Sequence, residues 1–204
     1  EDDSLDWTFG WEGNLQHFVA IQCGPNEHDN GIEADNFESN TTAKPISDPT
    51  ILNATFIGDR NNPSVPASSD DGALLRRGTK AMIANSMWYS FPQYGVNIDG
   101  SDSQSYLNGN GLTVANSILF RNASNSNVAT NQLGPNIIKA NPGFNGDPYG
   151  RPGCGVVPDV TFKNNVNDGV AAPGGVFFDS VGYIGGVDPD DQWIDDGWTT
   201  FADN

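Results

Sequence analysis

The chain of 204 residues is long enough for one domain with a substantial core, and its charge is strongly unbalanced. Nine Lys and Arg against 26 Asp and Glu give a formal net charge of −17, which disfavours nucleic acid and anionic membranes as partners and favours divalent cations. No apolar run approaches the length of a membrane span, so we expect none.

Short β-rich runs recur along the chain and are separated by turns rich in Gly, Pro and Asn. No long window has the period of an amphipathic helix. The strands are predicted within residues 15–22, 50–57, 81–91 and 112–120. The sequence therefore predicts an all-β chain.

Three of these runs share a pattern: an asparagine, a small residue, a variable residue and two bulky apolar residues. The pattern begins at Asn53, Asn85 and Asn116, a spacing of roughly 32 residues. A repeat of this length is typical of solenoids, and short strands favour a parallel β-helix with one coil per repeat. We expect the asparagines to stack, with each side-chain amide bonded to the neighbouring coils.

A second series of short segments lies between these strands, and we expect Asp6, Asp35, Arg76 or Arg77, and Asp99 to form one column. Neighbouring strands are about 4.8 Å apart, and carboxylates at that spacing repel unless a cation lies between them. No arginine is available between Asp6 and Asp35, which predicts a bound Ca²⁺ there. The predicted ligands are Asp3, Asp6, Glu33 and Asp35.

The last 20 residues, 185–204, again combine acidic residues with tryptophans. We expect residues 1–204 to form a single β-helix domain in which this segment caps the last coil, because an uncovered solenoid end exposes core and strand edges. Tryptophans near both ends of the chain are predicted to lie in the core or in interfaces with a partner. The interface candidates are Trp7, Trp11, Trp193 and Trp198.

Cysteines and glycosylation sequons suggest the compartment. Cys23 and Cys154 are either two unrelated buried thiols or one disulfide, which an extracellular protein permits. Sequons at Asn40, Asn53 and Asn122 are compatible with a glycosylated extracellular chain.

Six motifs resemble, in the same order, those of a family of bacterial secreted or surface proteins, often labelled lipoprotein or hypothetical protein. They are DDSLDWTFGWEGNLQHFVAIQ, GIEADN, DPTILNATFIG, LLRRGTKAMIANSMW, GVNIDG and DQWIDDGWTTF. The resemblance implies a right-handed parallel β-helix and carries no established activity. It also implies that this chain corresponds to the C-terminal part of such a protein or to a reduced version of it, and that missing residues, another domain or a neighbouring subunit cover its first coil.

The predicted function is that of an extracellular or cell-surface structural protein, stabilised by Ca²⁺, that self-associates head to tail into filaments or fibrils. One alternative is a polysaccharide-active enzyme, a calcium-dependent lyase with Arg76, Arg77 or Lys80 as the base. A net charge of −17 disfavours an anionic polymer as its substrate. The other alternative is a carbohydrate-binding surface module with exposed tryptophans.

Overall fold

A computed structural model of the chain describes residues 3–22, 28–60, 70–149, 159–161 and 176–198. Cys23 and Cys154 lie outside these residues, and with them the predicted disulfide. In the part that is described, no helix has the length and hydropathy needed to cross a bilayer. The elements are β1 (Leu5–Trp7), β2 (Asn14–Ile21), β3 (Ile32–Ala34), β4 (Thr50–Ile57), β5 (Ala73–Leu75), β6 (Ala81–Ala84), β7 (Met87–Tyr89), β8 (Tyr94–Ile98), α1 (Ser101–Gln104), β9 (Leu112–Ala115), β10 (Ser117–Phe120), β11 (Ser124–Ser126), α2 (Thr130–Leu133), β12 (Ile137–Ile138) and a 3₁₀ turn (Trp193–Asp195).

The strands form two sheets in which every strand pair is parallel. The first sheet has the order β1-β3-β5-β8-β11, and the second contains β2, β4, β6, β7, β9, β10 and β12. The chain forms one strand of the first sheet and then one or two strands of the second. It then returns to the first sheet, where its next strand pairs with the one it formed there before. We call each such unit a coil: β1–β2, β3–β4, β5–β7, β8–β10 and β11–β12 form coils 1 to 5. The predicted strands and the parallel β-helix are thereby confirmed.

A left-handed turn recurs at one level of the second sheet. Asn53, Asn85 and Asn116 lie side by side in the strand register, with φ angles of 51°, 52° and 47°. Asn116 Nδ2 donates a hydrogen bond of 2.8 Å to Asn85 Oδ1, and Asn53 Nδ2 donates one of 2.8 Å to the Tyr183 carbonyl. Asparagine suits this turn because its short polar side chain tolerates the left-handed region, which costs most residues about 1–2 kcal/mol. The predicted alignment of the asparagines is confirmed, and Asn116 and Asn85 bond to each other as expected, whereas Asn53 Nδ2 bonds to the C-terminal segment.

The same turn is present in the first and fifth coils, where the sequence pattern did not reveal it. His17, opposite Asn53, has a φ of 58°, and Asn136, beside Asn116, has a φ of 56°. The left-handed level thus runs through all five coils. It brings His17 to the surface on which the C-terminal segment lies.

Large apolar side chains fill the space between the two sheets. Phe56 and Trp88 are neighbours in the register, with ring centroids 5.8 Å apart and an interplanar angle of 6°. The Phe18 ring lies 5.5 Å from that of Phe56. Trp7 is 4% exposed, and its Nε1 donates to Thr79 Oγ1 at 3.0 Å. Trp7, predicted as an interface candidate, is therefore a core residue of this chain.

A second hydrophobic cluster covers the opposite face of β4, β7 and β10. Its sheet residues include Ile57, Met87 and Ile118, and its covering residues come from later in the chain. Those covering residues include Tyr149, Val160, Ile184, Val187 and Ile194. Hydrogen bonds hold this segment against coils 2 and 3. The Gly185 N–H donates to the Asn85 carbonyl, and the Gly186 N–H donates to Thr55 Oγ1. The described part of residues 185–204 lies along the side of the sheet, and a cap over the last coil stays a prediction.

Candidate functional site

Three carboxylates meet on the outer side of the first sheet, where coils 1 and 2 adjoin. Asp3, Asp29 and Glu33 each offer an oxygen, and these oxygens all lie within 4.8 Å of one another. Each of the three residues is half-buried. Asp3 and Glu33 belong to the predicted set of ligands, whereas Asp29 was not predicted. We call these three residues the acidic triad.

A ladder of side-chain bonds positions the triad. Asn30 donates from its backbone N–H and from Nδ2 to Asp3 Oδ1, at 2.8 and 2.9 Å. Its own Oδ1 accepts a bond of 3.1 Å from the backbone N–H of Asp71, one coil further on. Asp29 precedes Asn30 in this turn and is thereby brought to Asp3. A signal for Asp29 is present in the Asp-Asn-Gly sequence before β3, because acidic residues also stand two or three positions before β1 and β5.

Asp35 lies beside the triad but binds two arginines. Arg76 Nε donates to Asp35 Oδ1 at 2.9 Å, and Arg77 Nη1 donates to Oδ2 at 2.5 Å. Arg76 Nη2 also donates to Glu33 Oε1, and Arg77 Nη2 donates to Glu38 Oε1 at 3.0 Å. The Asp35 side chain is only 9% exposed. Since both of its oxygens are engaged by guanidinium groups, Asp35 is an ion-pair partner and lies outside the triad.

The predicted column of charges is wrong at Asp6. The register places Asp6 opposite Glu33, whereas backbone hydrogen bonds place Asp35 level with Arg76 and Asp99. Asp6 is exposed and is not among the three carboxylates that meet. The prediction aligned the segments by residue type, but the strand pairing offsets β1 by two residues relative to that alignment.

Burial and neighbouring charges change the protonation of this surface. Burial raises the pKa of Glu33 from 4.5 to about 7; Arg76 opposes this shift, and Asp3, Asp35 and Asp6 add to it. Burial lowers the pKa of Arg76, but the hydrogen bond and charge of Asp35 outweigh it, so that the net shift is upward. Arg76 therefore remains a guanidinium cation, while Glu33 holds a proton more readily than an ordinary glutamate.

The raised pKa of Glu33 predicts how stability depends on pH in chelator. Between pH 4.5 and about 7, Glu33 holds a proton in the folded chain that it has released in the unfolded chain. Its contribution to the free energy of unfolding is therefore complete below pH 4.5 and is lost as the pH rises to about 7. Glu33→Gln stays neutral and should remove this part of the pH dependence. Thermal midpoints from pH 4.5 to 8 in EDTA test this. Glu38→Gln, at an exposed acid that also bonds an arginine, is the control and should follow the wild-type curve.

The three sequons occupy different environments. Asn40 is exposed, and its Oδ1 accepts from the backbone N–H and the hydroxyl of Thr42. Asn53 is buried in the stack described above. Asn122 is also buried, and it bonds to the Phe91 N–H and the Trp88 carbonyl. A glycan on Asn53 or Asn122 would displace these bonds, so a glycan is compatible with the described fold at Asn40.

The remaining interface candidates differ in exposure. Trp11 is half-buried, and its ring lies 5.7 Å from that of Trp7. Trp193 is also half-buried, and its Nε1 donates to the Gly186 carbonyl at 2.9 Å. Trp198 is 69% exposed. Of the four predicted tryptophans, Trp198 has the largest surface available to a ligand or partner.

Comparison with known proteins agrees with this architecture. A family model for a pectate-lyase-like β-helix domain matches residues 1–147, which include all twelve strands. Searches of curated proteins and of solved structures found no match. Since the matched stretch covers more than half of the chain, the chain belongs to the pectate-lyase-like β-helix domain family.

Proposed function

We propose that this chain is a structural module of an extracellular or cell-surface protein: a right-handed parallel β-helix, stabilised by Ca²⁺, that self-associates through its first coil. Its family fits a polysaccharide-related or surface protein. The structural role is supported mainly by one observation: charged side chains on the first sheet form ion pairs with one another. Asp35, Glu33, Arg76 and Arg77 form a continuous ion-pair network across coils 2 and 3.

The same network argues against a lyase. A lyase base must give up its proton before it accepts one from the sugar, and Arg76 is held as a cation by Asp35 and Glu33. Arg77 is paired with Asp35 and Glu38, and Lys80 Nζ lies 4.9 Å above the Tyr106 ring. Appearance of unsaturated uronides from polygalacturonate, measured by ultraviolet absorbance with Ca²⁺ present, would contradict the structural role.

The acidic triad supports the calcium part of the proposal. Ca²⁺ binds oxygen ligands at about 2.3–2.6 Å, so two oxygens on opposite sides of one ion lie about 5 Å apart. The triad oxygens, all within 4.8 Å of one another, fit around one such ion. Asp3 precedes β1 in coil 1, and Glu33 lies in β3 in coil 2, which pairs with β1. An ion between the two carboxylates would replace their repulsion with attraction and link the two coils.

Calcium is expected to raise the thermal midpoint of unfolding. At about 100 times the dissociation constant, an ion that binds only the folded chain adds about 2.7 kcal/mol to the free energy of unfolding. Mg²⁺ should add less, because it requires shorter bonds and near-octahedral geometry. The measurement is differential scanning calorimetry at increasing concentrations of Ca²⁺ or Mg²⁺ after treatment with EDTA.

Two aspartate variants make this test specific. Asp29→Asn should lose the response to calcium, whereas Asp99→Asn, an exposed acid beside the first sheet but outside the triad, should retain it. An equal response in wild type and Asp29→Asn would show that the triad is not the binding site.

Self-association is supported by the strand pairing of the first coil. Among the described residues, β1 pairs only with β3 and β2 pairs only with β4. Leu15 and Phe18 of β2 pack against the core cluster but are only partly buried. Within the described residues this edge has backbone groups and apolar surface left for a second copy, and a head-to-tail contact that does not close produces a filament. Light scattering and negative-stain electron microscopy test this; a monomer at high concentration with calcium contradicts it.

A second candidate function is carbohydrate binding. Trp198 favours it, because an aromatic ring of this size that is 69% exposed offers a flat apolar surface on which a sugar ring packs. Quenching or enhancement of tryptophan fluorescence by oligosaccharides would support this function, and its loss in Trp198→Ala would locate the site.

A further inference from the structure

A cleft of about 480 Å³ lies between the first coil and the C-terminal segment. His17 contributes from the left-handed turn of coil 1, and the other lining residues come from residues 183–198, beyond the stretch that the family model matches. The lining residues are His17, Tyr183, Asp188, Asp191, Trp193 and Trp198. This chain thus builds onto its β-helix a cleft that the family match does not account for.

Two parallel indole rings form the aromatic wall of the cleft. The ring centroids of Trp193 and Trp198 are 5.6 Å apart with an interplanar angle of 10°. The bond from Trp193 Nε1 to the Gly186 carbonyl fixes the inner ring, and the outer ring of Trp198 is largely exposed. The wall therefore offers a ligand the exposed face of an indole that stacks on a hydrogen-bonded one, which reduces the entropy lost on binding.

Carboxylates give the cleft a negative charge. Asp188 and Asp191 border the cleft, and Asp179 Oδ2 lies 3.8 Å from His17 Nε2. Burial, followed by the charges of Asp188, Asp179 and Asp191, raises the pKa of Tyr183 to about 12, so its hydroxyl stays neutral. The described lining contains no lysine or arginine. Together with a net charge of −17, this field attracts cations and repels anions.

We propose that the cleft binds an ammonium-bearing ligand, with the cationic group over the Trp198 ring and beside the carboxylates of Asp188 and Asp191. Aromatic faces attract ammonium groups through the ring quadrupole, and a nearby carboxylate adds Coulomb attraction. Two sources offer this chemistry: an amino-sugar unit of a polysaccharide, whose apolar ring face also packs on indole, and a small alkylammonium compound. This inference deepens the second candidate function by naming the charge of the ligand, and it does not depend on calcium at the triad.

The test is a titration of the full chain, followed by tryptophan fluorescence and calorimetry, with three probes. They are the tetramer of glucosamine, the uncharged tetramer of N-acetylglucosamine, and choline. Glucosamine tetramer is expected to bind at least tenfold more tightly than its acetylated form, with affinity that falls as salt is raised. Tight binding of the glucosamine tetramer and weak binding of choline identify an amino sugar; comparable binding of both identifies a small cation.

Variants assign the binding to the cleft. Trp198→Ala should weaken binding roughly tenfold through loss of the cation–π contact. Asp191→Asn should weaken it roughly fivefold at low salt, whereas the matched change Asp195→Asn, at an exposed acid outside the cleft, should not. Trp198 and Asp191 are both exposed, so these variants should fold, which circular dichroism checks.

Two results would overturn the inference, and they separate it from the functions proposed above. Equal affinity for both tetramers would leave carbohydrate binding standing and remove the ammonium requirement. Absence of binding by all three probes would overturn both. Each titration is run with calcium and with EDTA, so that a failure of the calcium proposal is seen separately.

Discussion

Trp88→Ala is expected to lower the free energy of unfolding by about 4 kcal/mol, the typical cost of removing a fully buried aromatic side chain. Trp88 has no exposed surface, and it stacks on Phe56 from the neighbouring coil. The loss has two parts: the apolar surface that is no longer buried, and the cavity that is left behind. The cavity remains because the neighbouring rings are held on their own coils and cannot move in to fill it. Urea unfolding followed by circular dichroism measures the difference.

Trp198→Ala is the matched control, since the same residue type is removed from an exposed position. Its effect on stability should stay within about 0.5 kcal/mol. Trp88→Phe should recover part of the loss by filling part of the cavity. Equal stability of Trp88→Ala and wild type would contradict the packing of rings from successive coils between the two sheets.

Asp35→Asn is expected to destabilise the chain by about 3 kcal/mol, because it keeps the shape of the side chain but leaves two guanidinium groups without their shared charge. Asp35 is nearly buried, and Arg76 and Arg77 are each less than a third exposed. Water can therefore replace the lost partner only in part. The loss should appear as a lower urea midpoint with an unchanged slope.

Asp99→Asn provides the comparison for Asp35→Asn. Asp99 lies at the equivalent level of coil 4 but is exposed, so its change should cost less than about 0.5 kcal/mol. If Asp35→Asn were as stable as wild type but lost activity on a polysaccharide, the carboxylate would serve catalysis and the structural role of the network would be wrong.

Local pattern was enough to predict the strands and the asparagine stack. Asn53, Asn85 and Asn116 each stand before a small residue and then bulky apolar residues, and the repeat of that pattern sets the coil length. A turn that requires a left-handed residue favours asparagine, which occupies it in four of the five coils, so the signal survives in the sequence. His17 occupies the same turn with another residue type, and the pattern therefore missed it.

The acidic site could be predicted only in part, because it depends on strand register. Asp3 precedes β1 and Glu33 lies within β3, both in the second series of segments that the sequence analysis aligned, and the structure brings them together. Asp29, which was not predicted, belongs to the triad, and Asp6, which was predicted, lies outside it. A shift of two residues keeps the same side chains outward and leaves the hydrophobic pattern unchanged, so composition cannot distinguish the two registers.

The sequence by itself determined that the chain is β-rich, that it repeats, and that it is acidic enough to favour cations, because these properties depend on residue type and on contacts within one coil. Only the tertiary structure decided that Asp35 binds both Arg76 and Arg77, that the described C-terminal segment lies along the side of the second sheet, and that Trp198 borders an acidic cleft with His17. Each of these depends on groups far apart in the chain. Their meeting is set by how the coils stack and by which apolar face the later residues cover, and neither leaves a local pattern.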